Sequence, residues 1–393
     1  MYSIHIDTAR TWRGGQNQVL LTVLALRSLG HRALLVAHPS GELRQRAMEG
    51  LDLLPLAPRL EMDFSAAWRL ARVLRREEPA IVHAHDPHAV ALAALSIAMA
   101  RQPRPPKLVA SRRVDFELRT HAFSRWKHSQ VDRFVCASDF IRRLLVSQGI
   151  PPERVCTVHE GIDIGHVEAA RPLDLHQTLW LPRGSPIVGA VGALVNHKGH
   201  RHLVDAAGLV VRDVSDARFV IVGEGPLKPA LERQIRGLHL DKHVTLTGFR
   251  NDALSLLKGF DLFVMSSTTE GLGTSMLDAM ACGKAVIGTD TGGIPEVVDH
   301  DRTGLLVPPR DAHALADAIV RLLQDPERRE RYALAGGRRV REQFTVERMA
   351  AGTLAVYEDV CRTTAGAGSS PSGHAQTSGT GPSSRGGTGR SRT

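Results

Sequence analysis

The stretch from Ser266 to Val298, SSTTEGLGTSMLDAMACGKAVIGTDTGGIPEVV, constrains the fold more than any other part of this chain. It follows an apolar run, Asp261 to Met265, that reads as a buried parallel strand. Glu270-Gly271-Leu272-Gly273-Thr274-Ser275 is then a glycine-bearing turn headed by an acid. Met276 to Cys282 has helical apolar spacing, and Gly283 predicts a left-handed end to that helix. Ala285 to Gly288 reads as the next strand, and Gly292-Gly293-Ile294-Pro295-Glu296 as a second glycine turn before another helix. Two strand-turn-helix units in succession imply a parallel sheet with helix N-termini gathered at one edge. Free N–H groups and the helix dipole suit phosphate at such an edge. Glycines let the backbone approach a ligand. Glu270 and Asp278, one turn beyond Thr274, offer acceptors for sugar or ribose hydroxyls.

The same alternation runs through the chain. Tyr2 to Asp7 reads as a strand, and Arg13-Gly14-Gly15 opens a helix that Gly30 ends before a second strand, Ala33 to Ala37. Ala80 to Ala84 is a strand running into His85, Asp86 and Pro87, with His83 and His85 on one face. Lys107 to Val114 ends in Arg112-Arg113, placed to meet an anion, and Arg154 to Val158 is the last strand of this series. Periodicity then fades around Pro172, Pro182 and Gly184, and Pro186 to Val191 opens a second series. The expectation is an α/β chain of two parallel-sheet domains, at residues 1–170 and 186–345, joined by a linker at 171–185. A helix at 346–362 is expected to close the fold. Residues 363–393 are almost entirely Gly, Ser, Thr, Pro, Ala and Arg, which cannot bury a core, so a disordered basic tail is expected. Two domains suit 393 residues, and 42% hydrophobic content suffices for two cores.

Charge and composition narrow the partners. Residues 1–170 carry 23 Lys and Arg against 17 Asp and Glu, so most of the net charge of +9 sits on the first domain. That favours an anionic partner, such as a phospholipid surface or a phosphorylated acceptor. Aromatic residues are only 4% of the chain, too few to interleave with basic residues for nucleic-acid binding. Ser65 to Glu78, with Trp68 and Leu70 to Leu74 on its apolar side, and His121 to Phe134 read as basic amphipathic segments able to face acceptor or membrane. The longest apolar run, Ala89 to Ala100, falls short of the ~20 residues that span a bilayer. The opening MYSIHIDTAR lacks the pattern of a secretory leader. Cys136, Cys156, Cys282 and Cys361 lack metal or redox spacing and suit a reducing compartment. A cytoplasmic protein, peripheral on the inner face of a membrane, is the expectation. His83-x-His85 lacks a third ligand at convincing spacing, and Asp299-His300-Asp301 reads as a solvated turn, so no metal is expected. Gly223-Glu224-Gly225 is half a dinucleotide fingerprint, with Lys228 where the third glycine would stand.

Glu270, seven residues and Asp278 closely resemble the signature of the retaining nucleotide-sugar glycosyltransferases of family 4, in which a second Glu stands where this chain has Asp278. That family has the GT-B fold, two Rossmann-like domains facing each other across a cleft. The resemblance implies that Glu270 faces the donor sugar and Asp278 the ribose. It places Gly14 and Gly15 beside the donor diphosphate. Gly192, Gly223, Glu224, Gly248, Phe249, Gly271, Leu272, Gly273, Thr274 and Ser275 would border the donor pocket. It makes Lys198 a diphosphate contact and puts His85 in the cleft on the acceptor side. In the family an arginine directly follows the first glycine of the second domain; Ala193 stands here, and Arg13, Arg113 and Arg201 are the candidate replacements. The implied function is transfer of a sugar from a nucleoside-diphosphate donor to a glycan or lipid-linked acceptor hydroxyl, with retention and without a cofactor, in cell-envelope glycan synthesis. A nucleotide-sugar epimerase of the same fold and a non-catalytic lipid- or RNA-binding protein are the rival readings.

Overall fold

The computed structural model describes residues 1–48, 50–118 and 121–365. Residues 363–365 of the expected tail continue the last helix; the rest of the tail lies outside the described residues.

The first half of the chain runs β1 (Tyr2–Asp7), α1 (Gly14–Ser28), β2 (Arg32–Ala37), α2 (Glu42–Ala47), β3 (Asp52–Pro55), α3 (Phe64–Glu77), β4 (Ile81–Ala84), α4 (Pro87–Ala100), β5 (Lys107–Arg112), α5 (Ala122–Ser129), β6 (Arg133–Cys136), α6 (Asp139–Ser147) and β7 (Val155–Thr157). Two short helices follow, α7 (Ile164–Ala169) and α8 (Leu175–Thr178). The second half runs β8 (Ile187–Val191), α9 (His200–Asp213), β9 (Arg218–Val222), α10 (Lys228–Gly237), β10 (Val244–Gly248), α11 (Ala253–Lys258), β11 (Leu262–Met265), α12 (Thr274–Ala281), β12 (Ala285–Thr289), α13 (Ile294–Val297), β13 (Leu305–Val307), α14 (Ala312–Gln324), α15 (Pro326–Gln343) and α16 (Val346–Ala365).

Every strand pair is parallel. The first sheet has the order β3-β2-β1-β4-β5-β6-β7 and the second β10-β9-β8-β11-β12-β13. Each order runs outward from its first strand and then reverses, which opens a crevice at the strand C-termini between β1 and β4 and between β8 and β11. This is the doubly wound, two-sheet arrangement expected from the alternation of strand and helix.

Strand alternation decides what each face of the first sheet carries. Ile4, Ile6, Val82, Ala84, Leu108 and Ala110 point toward α3 and α4, where Leu70 and Leu74 are fully buried. Each such leucine contributes about 1.5–3 kcal/mol relative to its exposed state. Ile81, Val109 and Val135 point the other way, onto Leu26 of α1 and Tyr357 and Val360 of α16. The last helix thus returns to the first sheet, packing on α1, β5 and β6. The crossing is tight: a Cβ on Gly161 would overlap the carbonyl of Thr345.

Three local expectations change. Trp68 is 49% exposed, because the buried stripe of α3 is Ala66, Ala67, Leu70, Ala71 and Leu74. The basic segment from His121 ends as a helix at Ser129, and Arg133 and Phe134 belong to β6. The aperiodic stretch 164–185 holds α7 and α8, since Asp163 and Asp174 each cap a short helix by accepting from the amide three residues on.

Candidate active site

The crevice of the second sheet is built on glycine. Gly223 has φ +152° and comes so close to Gly192 that a Cβ would overlap its carbonyl oxygen. The turn after β8 ends at Lys198, and Gly199 (φ +62°) passes under the carbonyl of Ser266. Lys198 Nζ lies 2.6 Å from Glu270 Oε2, and Ser267 Oγ donates to the same oxygen at 3.0 Å. Burial pushes the Glu270 carboxyl up, but Lys198 and Ser267 outweigh it and hold it below its usual range. Thr274 and Ser275 begin α12, with Ser275 Oγ donating to Val191 O at 3.1 Å. Asp278 follows one turn later; burial pushes its carboxyl up to about 7, and it accepts no side-chain hydrogen bond among the described residues.

The crevice of the first sheet is filled with side chains. Arg113 Nη1 donates to His85 Nδ1 at 3.1 Å, and Arg113 Nε lies 2.9 Å from Glu160 Oε1, an ion pair off the hydrogen-bond line. His85 Nε2 meets His5 Nδ1 at 3.0 Å, and His5 Nε2 meets Ser3 Oγ at 3.0 Å. His83 lies between Tyr357 Oη (2.6 Å) and Ser111 Oγ (2.8 Å). Burial keeps these imidazoles neutral: His5 falls to about 3, and His83 and His85 fall well below the usual range. Beside them, burial and Asp86 push the Asp7 carboxyl up to about 6.

The two crevices meet. A Cβ on Gly14 would stand 3.2 Å from Thr274 Oγ1, and one on Gly15 would stand 3.9 Å from Arg113 Cδ. A Cβ on Gly271 would overlap the Arg113 carbonyl oxygen, so only glycine admits this closure. Burial raises the Glu160 carboxyl against the pull of Arg113, and it also senses Glu270 and Lys198. Arg113, Glu160, Lys198, Glu270, Thr274, Gly14, Gly15 and Gly271 therefore form one cluster across the interface. Of the remaining sequence candidates, Gly192 and Gly273 border it, since a Cβ on each would stand 3.6 Å from Lys198 Cδ and from Glu270 Cγ, respectively. His85 is 7% exposed and touches the cluster through Arg113 rather than lining open space. Leu272 is core. Glu224 and Arg201 are exposed, Gly248 (φ +74°) ends β10 and half-exposed Phe249 follows it, and Arg13, exposed at the N-cap of α1 beside Gly14, lies near enough to His197 to add to the burial that holds its imidazole down.

Two carboxylates that motif reading passed over hold this interface. Glu296, from the second glycine turn, accepts from the amides of Asp139 (2.8 Å) and Phe140 (2.7 Å) and contacts His159 Nε2 at 2.9 Å. It thus finishes the N-terminus of α6 from the other domain. Glu160 is the other. Its signal was its place between His159 and Gly161 at the end of the first domain. The signal for His5 was stronger: Ser3, His5 and Asp7 are polar at every second position of a strand buried on both faces.

Comparison with known proteins follows the same division. Residues 12–166 match the family described as Glycosyltransferase Family 4, and residues 185–325 that described as Glycosyl transferases group 1. The chain is 30% identical over 356 residues to the alpha-D-kanosaminyltransferase of Streptomyces kanamyceticus, covering 80% of this chain and 91% of that protein. It is 29% identical over 348 residues to the GDP-mannose-dependent alpha-mannosyltransferase of Mycobacterium tuberculosis, covering 83% and 88%. Among solved structures, Anabaena HepE in complex with UDP superposes with a TM-score of 0.79 at 20% identity, covering 91% of this chain and 100% of that one.

Proposed function

Because the chain belongs to glycosyltransferase family 4, enzymes of the GT-B fold that take a sugar from a nucleotide-sugar, we propose that it transfers its sugar with retention of configuration and that Lys198 and Glu270 form the donor-side centre. The observation that carries this reading is the 2.6 Å Lys198–Glu270 pair at the second crevice, whose α12 start the Gly14 turn approaches at Thr274. The two charges satisfy each other. An entering diphosphate draws the ammonium away, and Glu270, held by Ser267, is left to orient the sugar hydroxyls.

The sugar carbon then breaks its bond to the diphosphate oxygen, which leaves with the electron pair. The acceptor hydroxyl oxygen bonds to that carbon on the face the diphosphate vacates, and a phosphate oxygen takes the hydroxyl proton. Lys198 and the N-terminus of α12 stabilise the departing charge, and such fixed groups are each worth about 3–4 kcal/mol where charge develops. Asp278, a turn into α12, faces the ribose in this scheme. Closure over Gly271 keeps water from the activated sugar. The relatives support donors of either base, one being GDP-mannose-dependent and one structural neighbour holding UDP. A panel of UDP- and GDP-sugars, with the product anomer read by NMR, tests this. Retained configuration is expected; an inverted product overturns the mechanism.

The acceptor in this reading is a glycan or lipid-linked glycan of the cell envelope at an anionic membrane. No helix among the described residues is long and apolar enough to cross a membrane. Leu60, Met62, Phe64 and Trp68 are 72, 47, 57 and 49% exposed before and along α3, and Arg72 covers the Trp68 ring at 5.0 Å. Apolar side chains among arginines fit an anionic lipid surface. The expected result is co-sedimentation with vesicles containing phosphatidylglycerol and none with phosphatidylcholine alone; equal behaviour with both removes the membrane from the scheme.

A further inference from the structure

We infer that Arg113 is the cation through which the first domain grips the donor diphosphate, that the His85–His5 pair positions its guanidinium, and that Glu160 is the counter-charge the diphosphate displaces. This rests on the donor reading above and goes beyond it, since Ala193 stands where a family arginine is expected and three arginines could replace it.

The first ground is place. Arg113 is only 15% exposed and lies beneath Gly15, at the start of a 15-residue helix whose first turn carries no acid and whose N-cap makes no side-chain bond. Its Nη1 is held by His85 and its Nε by Glu160, while Nη2 has no hydrogen bond among the described residues. That edge of the fork keeps a donor to spare beside the start of α1, and a planar fork beside free helix amides is what a phosphate group binds best. Arg13 and Arg201 are exposed, and neither is held in this way.

The second ground is tautomer logic. His5, His83 and His85 each bring a nitrogen within 4.8 Å of the others, a spacing that suits a metal ion. Arginine can only donate. His85 Nδ1 must accept from Arg113, so His85 Nε2 carries the hydrogen and donates to His5 Nδ1, and His5 Nε2 in turn donates to Ser3. The lone pair a metal would need on His85 Nε2 is not there. The pair instead forms a directional brace, anchored in β1, that fixes one side of the guanidinium.

The third ground is charge. Arg113 with Glu160 and Lys198 with Glu270 are two neutral pairs meeting across the interface. A diphosphate that enters between them gains most where its anion can be exchanged for a buried carboxylate. Burial already raises Glu160, which is the easier of the two acids to protonate. The groups facing it are Arg113 from its own domain and Lys198 and Glu270 from the other.

The test is calorimetric titration of the full chain with UDP, UMP, GDP and GMP, reading the ratio of diphosphate to monophosphate affinity. Wild type should prefer one diphosphate strongly. Arg113→Ala should lower that ratio ten- to a hundredfold with monophosphate affinity kept, and Arg113→Lys should recover part of it. Glu160→Gln should raise the ratio several-fold and abolish the proton uptake that wild type shows when the diphosphate binds in buffers of different ionisation enthalpy. An unchanged ratio in Arg113→Ala, or a lowered one in Glu160→Gln, overturns the assignment. Wild type that binds no nucleoside diphosphate fails earlier, on the donor reading itself. Retained monophosphate affinity and a retained melting temperature show that the variants are folded.

Discussion

The two crevices share one topology and solve opposite problems. In the second, the strands end in glycine turns, and Lys198 pairs with Glu270 there. In the first, the equivalent space is packed with side chains in two bonded series, His5 to His85 to Arg113 and Tyr357 to His83. One crevice is open backbone that a ligand can complete. The other is a preformed wall of side chains that carries Arg113. A cleft that must hold a flexible anionic donor yet shut out water gains from this asymmetry, because one face adapts and the other does not.

The largest expected effects lie in the open crevice. Lys198→Ala and Glu270→Gln should each lower kcat by a hundredfold or more, about 2.7 kcal/mol of transition-state stabilisation, with melting temperature almost unchanged. Near-wild-type turnover in both would break the contrast by showing that the glycine-built face is not where donor chemistry happens. Gly271→Ala sharpens it further. The added methyl meets the Arg113 carbonyl across the interface and nothing within its own domain except at contact distance, so the domains should be held apart. A tenfold or larger loss of kcat/KM without loss of stability is expected from steady-state kinetics beside a thermal melt; a large fall in stability would place the effect in folding instead.

Two smaller effects concern titration and packing. The folded Asp278 carboxyl, at about 7, binds its proton more tightly than the unfolded chain does. Its stability contribution is therefore complete below the unfolded value and is lost as pH rises through 7. Asp278→Asn should stabilise the protein by about 1–3 kcal/mol at pH 8, match wild type in strong acid, and weaken nucleotide binding. Denaturant melts at several pH values read the sign. The buried imidazoles act in the other direction, since folded histidines that resist protonation make stability fall as pH drops below about 6.5. Tyr357→Phe removes the 2.6 Å contact to His83 and should cost about 1 kcal/mol of stability while leaving turnover within twofold. A large loss of turnover would show that the wall is part of the chemistry.

The contrast also explains what could be read from the chain. The sheets, their switch points and the glycine turns were legible because each strand, turn and helix is local. Lys198, Glu270 and Asp278 announce themselves by spacing alone. The first crevice was only half legible, because its parts come from positions 5, 85, 113 and 160 and meet only once β1, β4 and β5 have paired. Spacing offered His83 and His85 no third partner, and the fold supplied His5 from another strand. Trp68 misled because an aromatic residue beside an apolar stripe reads as part of it, while the helical period leaves it outside. Glu296 looked like a turn residue since its two amide partners lie more than 150 residues away.

That last contact has a use. The amides of Asp139 and Phe140 are bonded to Glu296, a residue of the other domain, so their protection from solvent deuterium depends on the domains being together. The amide of Ile141, one residue further on, is bonded to Ser138 within its own domain. Three neighbouring amides thus form a comparator: the first two lose their protons at the rate the cleft opens, and the third keeps time for the helix itself. Hydrogen exchange at this one helix start would give the population of the open enzyme with no label attached, and its slowing on addition of donor would measure how far the equilibrium has moved.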